Sequence, residues 1–215
     1  MEQKNKSILT PHQKKILDFI CEERYFTDRY YLAGGTALAE FYLKHRISED
    51  LDFFTEEQKV DTVAITRFFE KNKNKLKIRT FETRKVLGLF SLFFNFEDGE
   101  KLKVDFNYYP FPLIEKGTKY KNLKIESIYD IAVDKVHTVV LNPRARDFID
   151  IYFIIKEKGY SFKDLIDKAK FNWHISAVEL GARFLEAAEL KDYPRMIKKL
   201  TTKFGNNFLL IMQYH

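Results

Sequence analysis

Residues 30–54 read YYLAGGTALAEFYLKHRISEDLDFF, and the reading of this stretch decides the fold. Tyr30, Tyr31, Leu32 and Ala33 suit a short buried strand, Gly34 and Gly35 a turn where backbone must come close to another group, and Thr36 to Lys44 a helix. A helix that begins at such a turn directs unbonded N–H groups into it, where an anion such as a triphosphate is welcome. Beyond the helix, Ser48, Asp50 and Asp52 alternate with Leu51 and Phe53. In a strand the polar set therefore shares one face and the apolar set lies on a core. Two carboxylates side by side repel unless a cation joins them, and an all-oxygen pair suits Mg²⁺ carrying substrate phosphates. Each piece alone is common, since an isolated D-x-D is more often a solvated strand end than a metal site. Their order and closeness favour a nucleotide-and-metal reading over packing alone. Neither a P-loop pattern nor a G-x-G-x-x-G is present.

The flanking sequence supplies the rest of an α+β chain. Thr10, Pro11 and Gln13 form a T-P-x-Q helix start. Thr62 to Asn72 reads as a helix, and Leu76 to Phe81 and Val86 to Phe96 read as strands. A turn at Glu97-Asp98-Gly99-Glu100 leads into Lys101 to Tyr108, making a hairpin. In that last strand Leu102, Val104 and Phe106 alternate with Lys103, Asp105 and Asn107. Asp105 is thus a candidate third carboxylate, with a solvated strand aspartate as the alternative. Pro110, Pro112 and Gly117 mark a change from strands to helices, which sets expected domains of 1–125 and 126–215. Ser127 with Asp130 starts a helix through Leu141, Asn142-Pro143 breaks it, and a second runs from Arg144 to Lys158 before Gly159. Asp147 and Asp150, three residues apart, share a face of that second helix. Ala177 to Leu190 and Arg195 to Leu200 read as further helices.

At these residues the chain resembles the AbiEii/AbiGii-type nucleotidyltransferases, many of them toxins of toxin–antitoxin systems, within the DNA polymerase β-like superfamily. The resemblance begins at Gly34-Gly35 with Thr36-Ala37-Leu38 and continues through an R-x-S-x-D-x-D pattern at Arg46, Ser48, Asp50 and Asp52. It takes in a later helical lysine, placed at Lys135. It ends in a helix of the R-x-[RK]-D-[FY]-x-D-[LI] type, matched by Arg144, Arg146, Asp147, Phe148, Asp150 and Ile151. It implies a polymerase β-like core with a mixed sheet, followed by a helical C-terminal region, with a nucleoside triphosphate in the cleft between them. It also implies Mg²⁺, two ions, held by Asp50 and Asp52, and gives Asp105 the part of metal ligand or of base for the attacking hydroxyl. Gly34, Gly35, Thr36, Arg46, Ser48 and Lys135 become nucleotide-binding residues, with Arg46 contacting phosphate or anchoring its loop. Asp150 joins the catalytic group by orienting Lys135, contacting the nucleotide, or both; an ordinary buried Lys–Asp pair is the structural alternative. The implied activity is transfer of a nucleotide to RNA, tRNA foremost, with a separately encoded antitoxin as partner. A small-molecule acceptor, as in aminoglycoside modification, and a catalytically silent nucleotide-binding module are the competing readings.

Composition agrees with this reading without producing it. With 215 residues, 45% hydrophobic and 32% charged, the chain is long enough for one large or two small domains with a real core. A net charge of +6 is compatible with a polyanionic partner. Basic segments at Lys71-Asn72-Lys73-Asn74-Lys75, Lys116 to Lys124 and Lys198-Lys199 are candidates for RNA contact. The single Cys21 excludes an internal disulfide framework. Residues Met1 to Thr10 are polar and no apolar run approaches membrane-spanning length, so a cytoplasmic protein with no membrane partner is expected.

Overall fold

The computed structural model describes residues 6–57, 59–186 and 190–200. The chain divides into two compact units, Met1–Ala37 with Ser48–Glu126, and Leu38–Ile47 with Ser127–His215. The second unit thus takes in a segment from the first half of the sequence, which a single cut in the chain cannot express.

The first unit is built on one sheet. Helix α1 (Pro11–Glu22) starts at Thr10, whose hydroxyl accepts the Gln13 N–H while the Gln13 side chain accepts the Thr10 N–H, the expected capping box. Then come α2 (Arg24–Arg29), β1 (Tyr31–Ala33), α3 (Gly34–Leu38), β2 (Leu51–Thr55), α4 (Thr62–Leu76), β3 (Ile78–Val86), β4 (Leu89–Phe96), β5 (Lys101–Tyr108), β6 (Lys119–Tyr120) and β7 (Leu123–Ile125). The strand order is β3-β4-β5-β2-β1-β7-β6. β2 runs parallel to β5, and β1 parallel to β7, while the other pairings are antiparallel, so the sheet is mixed as expected.

The strand registers divide the residues cleanly between two faces. Phe53 of β2 stacks on Phe106 of β5 with ring centroids 5.2 Å apart. Phe69 of α4 lies 4.9 Å from Phe94, and Phe26 of α2 lies 5.6 Å from Phe106. Phe26, Phe53, Phe69, Phe94 and Phe106 are all fully buried. Each such ring stabilises the fold by about 1.5–3 kcal/mol relative to exposure. This apolar face is covered by α2 and α4, which leaves the alternate residues of β2 and β5 on the opposite face.

Three local expectations are corrected. The helix begins at Gly34 rather than Thr36, and from Ala39 to Leu43 it continues as a π-helix, ending at Lys44 with φ 47°. The strand expected at Leu76 to Phe81 runs from Ile78 on to Val86, where Leu87 (φ 35°) with Gly88 (φ 85°) turns the chain, so the strand expected from Val86 begins at Leu89 as β4. A two-residue loop with positive φ at both positions matches the strand twist, and Leu87 at its tip is fully exposed. The third correction concerns the segment Arg195 to Leu200, which is not helical. Met196 bridges Arg46, with Ile47 N–H donating to Arg195 O at 2.8 Å and Ile197 N–H donating to His45 O at 2.8 Å. Backbone pairing with the 45–47 segment takes the hydrogen bonds that a helix would have used. The short β6–β7 hairpin has no counterpart among the expected strands.

In the second unit, α5 (Ile128–Leu141), α6 (Ala145–Lys158), α7 (Phe162–Trp173) and α8 (Ala177–Glu186) follow in order. The Ser127 hydroxyl accepts the Asp130 N–H and starts α5, and Gly159 at φ 68° closes α6, both as read from sequence. Of the Ala177 to Leu190 expectation, residues 187–189 lie outside the described residues. α5 packs on α6, α7 and α8. α6 is buried on nearly all sides from Phe148 to Ile155, which makes it the central helix of this unit. Among the described residues, no helix is long and apolar enough to cross a membrane.

Candidate active site

The first group of site residues lies on the sheet. Asp52 pairs in register with Asp105 on the parallel neighbour β5 and with Ala33 on β1, so both carboxylates stand on the face opposite the phenylalanines. Asp105 is 6% exposed. Its Oδ2 accepts a hydrogen bond from Lys103 Nζ at 2.5 Å, whereas its Oδ1 is buried with no hydrogen-bond partner among the described residues. Burial works to lower the Lys103 pKa, yet the hydrogen bond to Asp105 and the fields of Asp105, Asp50 and Asp52 outweigh it and hold the ammonium above its ordinary value. Lys103, unassigned in the sequence reading, is therefore the internal cation of this carboxylate group. Alternation placed it on the polar face, and nothing local distinguished it from a solvated lysine.

The turn is fitted to these carboxylates. Gly34 has φ +68°, and a Cβ there would lie 3.0 Å from Asp52 Oδ2. The Gly34 N–H donates to Glu126 Oε2 at 3.3 Å, so a buried carboxylate already faces the start of α3. Glu126, at the end of β7, is a second residue with no signal in the sequence. Thr36 is fully buried and its hydroxyl donates to the carbonyl of Asp50, pinning the backbone that enters β2. The Ser48 carbonyl accepts from the Gln13 side chain at 2.9 Å. Gly35 follows Gly34 in the first turn of α3. Gly34→Ala is expected to strain the left-handed backbone and push on Asp52, lowering turnover by at least about tenfold, in line with the cost of a small misplacement. Steady-state kinetics beside a thermal melt separates this effect from unfolding.

The donors at this face are carboxylate oxygens, the set preferred by Mg²⁺. Among the described residues no three His, Cys, Asp or Glu side chains converge into a complete cage. This is compatible with Mg²⁺, which keeps several waters and binds through one or two carboxylates plus substrate phosphates. The close approach of Gly34 to Asp52 and the unpartnered Asp105 Oδ1 make the residues present a fit for such an ion.

The second group lies in the helical unit. Asp150 is fully buried and both its oxygens are occupied. Oδ1 accepts from Arg46 Nε at 2.6 Å and pairs with His45 Nε2 at 2.8 Å, and Oδ2 accepts from Arg46 Nη2 at 2.7 Å and meets Lys135 Nζ at 2.9 Å. Lys135 Nζ also donates to Asp147 Oδ1 at 2.6 Å, and Arg144 Nε to Asp147 Oδ2 at 2.8 Å. Burial alone would raise the Asp150 pKa, but Lys135 and Arg46 hold it well below the usual carboxylate range. Burial likewise works against the Lys135 charge, and Asp150 and Asp147 more than restore it. Burial lowers the His45 pKa despite its hydrogen bond to Asp150, so His45 is neutral near pH 7 and donates through Nε2–H. Lys135, Arg46 and Arg144 together face two carboxylates, which leaves the cluster net positive.

The mixed sheet with its helices is a nucleotidyltransferase-type fold, shared with solved structures. A crystal structure from H. pylori, provisionally assigned as a nucleotidyltransferase, matches with a TM-score of 0.60 at 20% identity, covering 96% of this chain and 97% of that one. JHP933 from Helicobacter pylori matches with a TM-score of 0.57 at 19% identity over 93% and 87%. The family model for the nucleotidyl transferase AbiEii toxin of Type IV toxin–antitoxin systems matches residues 19–205, and the chain belongs to that family. An uncharacterized protein of Aquifex aeolicus is 34% identical over 139 residues, which is 63% of this chain and 62% of that protein. The match thus spans less than two thirds of that relative.

Proposed function

We propose that this protein is a Mg²⁺-dependent enzyme that transfers a nucleoside monophosphate from a nucleoside triphosphate to a hydroxyl of RNA, tRNA foremost, as the toxin partner of a separately encoded antitoxin. The observation that carries the reading is the in-register Asp52–Asp105 pair beside Gly34, with Asp105 Oδ1 lacking a hydrogen-bond partner among the described residues. Family membership supports nucleotidyl transfer as the reaction class.

Asp50 and Asp52 would hold the metal, which when bound lowers the pKa of an attacking hydroxyl and neutralises phosphate charge. Attack falls on the α-phosphate: the acceptor oxygen forms the new P–O bond, the bond to pyrophosphate breaks, and the hydroxyl proton passes to Asp105. Gly35 and Ser48 offer backbone and hydroxyl donors to the β- and γ-phosphates, and Gly34 adds its N–H once that is released from Glu126. Lys135 neutralises charge on the departing group. Arg46 and Asp150 act through Lys135 rather than on the nucleotide, since the Arg46 fork and both Asp150 oxygens are taken by each other, His45 and Lys135. Thr36 acts through the Asp50 backbone.

Lys103 holds Asp105 Oδ2, so Oδ1, which has no hydrogen-bond partner among the described residues, is the oxygen open to that proton, and the ammonium competes with a metal ion for the same carboxylates. Lys103→Met is therefore expected to strengthen Mn²⁺ binding several-fold, because one competing positive charge is removed from the carboxylates. Calorimetric titration with Mn²⁺ checks this without reference to turnover.

The proposal as a whole is tested by incubating the purified protein with each α-³²P-labelled nucleoside triphosphate, Mg²⁺ and total RNA. Label is expected in discrete RNA species with one preferred nucleotide. Label only in small molecules would transfer the assignment to the aminoglycoside-type reading, and no label in either would support the silent nucleotide-binding module.

A further inference from the structure

The carboxylate face of the sheet continues past Asp105 onto β4 and β3, and its residues can be read off the registers. At the level of Asp52 and Asp105 the row runs on through Ser91 to Arg84. The next row along the strands carries Lys103, Phe93 and Glu82, and a further one carries Lys101, Asn95 and Thr80. In-register neighbours point to the same side of a sheet, so all of these share the face of Asp52 and Asp105. Arg84, Glu82, Lys101 and Thr80 are exposed, and Phe93 is 37% exposed where an inward-facing position would bury it. Lys103 is paired with Asp105, and beyond the carboxylates the exposed charges of these rows are two cations, Arg84 and Lys101, against the single Glu82.

We infer that this β3–β4–β5 face is the track on which a single-stranded end of the acceptor nucleic acid lies, with Phe93 as a base-stacking platform and Arg84 and Lys101 on the backbone phosphates. The inference rests on the RNA-acceptor reading and names its surface. An aromatic flanked by cations on an open sheet is the chemistry that holds single strands without sequence selection. The excess of Arg84 and Lys101 over Glu82 on β3 and β5 beyond the carboxylates, and register continuity with Asp105, both favour this occupant: a strand seated here reaches Asp105 along one row of the sheet. The lysines of α4, which the composition of the sequence singles out for RNA contact, sit on a helix packed through Phe69 against Phe94 and Phe106, the other face of the sheet.

The test is binding of a fluorescein-labelled single-stranded RNA 12-mer with a free 3′ end to the full chain, by anisotropy across a salt titration, beside a separate measurement of nucleoside triphosphate binding. Phe93→Ser is expected to weaken RNA binding on the order of tenfold. Arg84→Gln with Lys101→Gln is expected to flatten the log–log salt slope by about 0.7 for each phosphate that is no longer neutralised. Triphosphate binding should be unchanged in both. Lys71→Gln, Lys73→Gln and Lys75→Gln together, on α4, should leave RNA binding at the wild-type value. RNA binding that ignores Phe93, Arg84 and Lys101 but falls with the α4 changes overturns the track and leaves the RNA acceptor standing. Wild-type protein that neither binds nor labels RNA overturns both. Loss of a protein partner's binding in the Phe93 variant, with RNA binding intact, assigns the face to that partner and also overturns the track.

Discussion

Asp52→Asn is expected to reduce nucleotidyl transfer by about 10²–10³-fold, the loss seen when one preorganised electrostatic group is removed from a transition state. The amide keeps the shape of the carboxylate, and the Phe53–Phe106 stack beneath it is untouched. Removal of one negative charge from the face shared with Asp105 should therefore remove cation binding while leaving the melting temperature close to wild type. Single-turnover transfer assays, with Mn²⁺ calorimetry and a thermal melt on the same preparation, separate these outcomes. Full transfer by the Asn variant, or full wild-type transfer in excess chelator, would sink the metal-dependent mechanism.

Asp150→Ala should act on stability first. The substitution leaves Arg46, Lys135 and His45 in a buried site with Asp147 as the remaining carboxylate of the cluster, and breaking a buried pair in this way costs about 3–5 kcal/mol. That is a large share of the stability of a domain. Asp150→Asn keeps the volume but still forfeits the charge that offsets two buried cations. The pH dependence has a definite sign. Because Lys135 and Arg46 depress the folded-state pKa of Asp150 below its ordinary value of 3.8, its contribution is present in full above that value. It is lost as the pH falls from there through the folded-state pKa. Wild type should thus lose this stabilisation only in strong acid, and the stability gap between wild type and Asp150→Asn should narrow there. Guanidinium denaturation at pH 7 and at several values below 4 measures it. A gap that stays constant through the acid range would show that Asp150 is not an ionised anchor.

Much of the frame was legible because it is local. The T-P-x-Q start at Thr10, the Ser127 cap, the Asn142-Pro143 break and the Gly159 end each arise from chemistry within a few residues, and the structure places α1, α5 and α6 on those signals. Alternation alone was enough to put Asp52 and Asp105 on the polar faces of their strands, since side chains in a strand repeat every two residues. The helix at Gly34 was read correctly in kind, but its π-helical second half was not, because nothing in Ala39–Leu43 announces a change of hydrogen-bond ladder. Arg195 to Leu200 carries helical spacing yet is not helical for a related reason: the backbone partners of Arg195, Ile197 and Lys198 are His45 and Ile47, far away in sequence.

Residues 30–54 and the spacing of later strands and helices by themselves determined an α+β chain with carboxylates beside a Gly-Gly turn. Only the tertiary structure decided that Asp52 stands in register with Asp105, that Lys103 is their counter-cation, and that Glu126 meets the Gly34 N–H. It also decided that Asp150 is wholly occupied by Arg46, His45 and Lys135. The physical reason is one of range. Propensity, capping and periodicity act within a turn or two of chain, whereas strand register and buried ion pairing join residues from distant segments, and which partners meet is set by how the whole core packs.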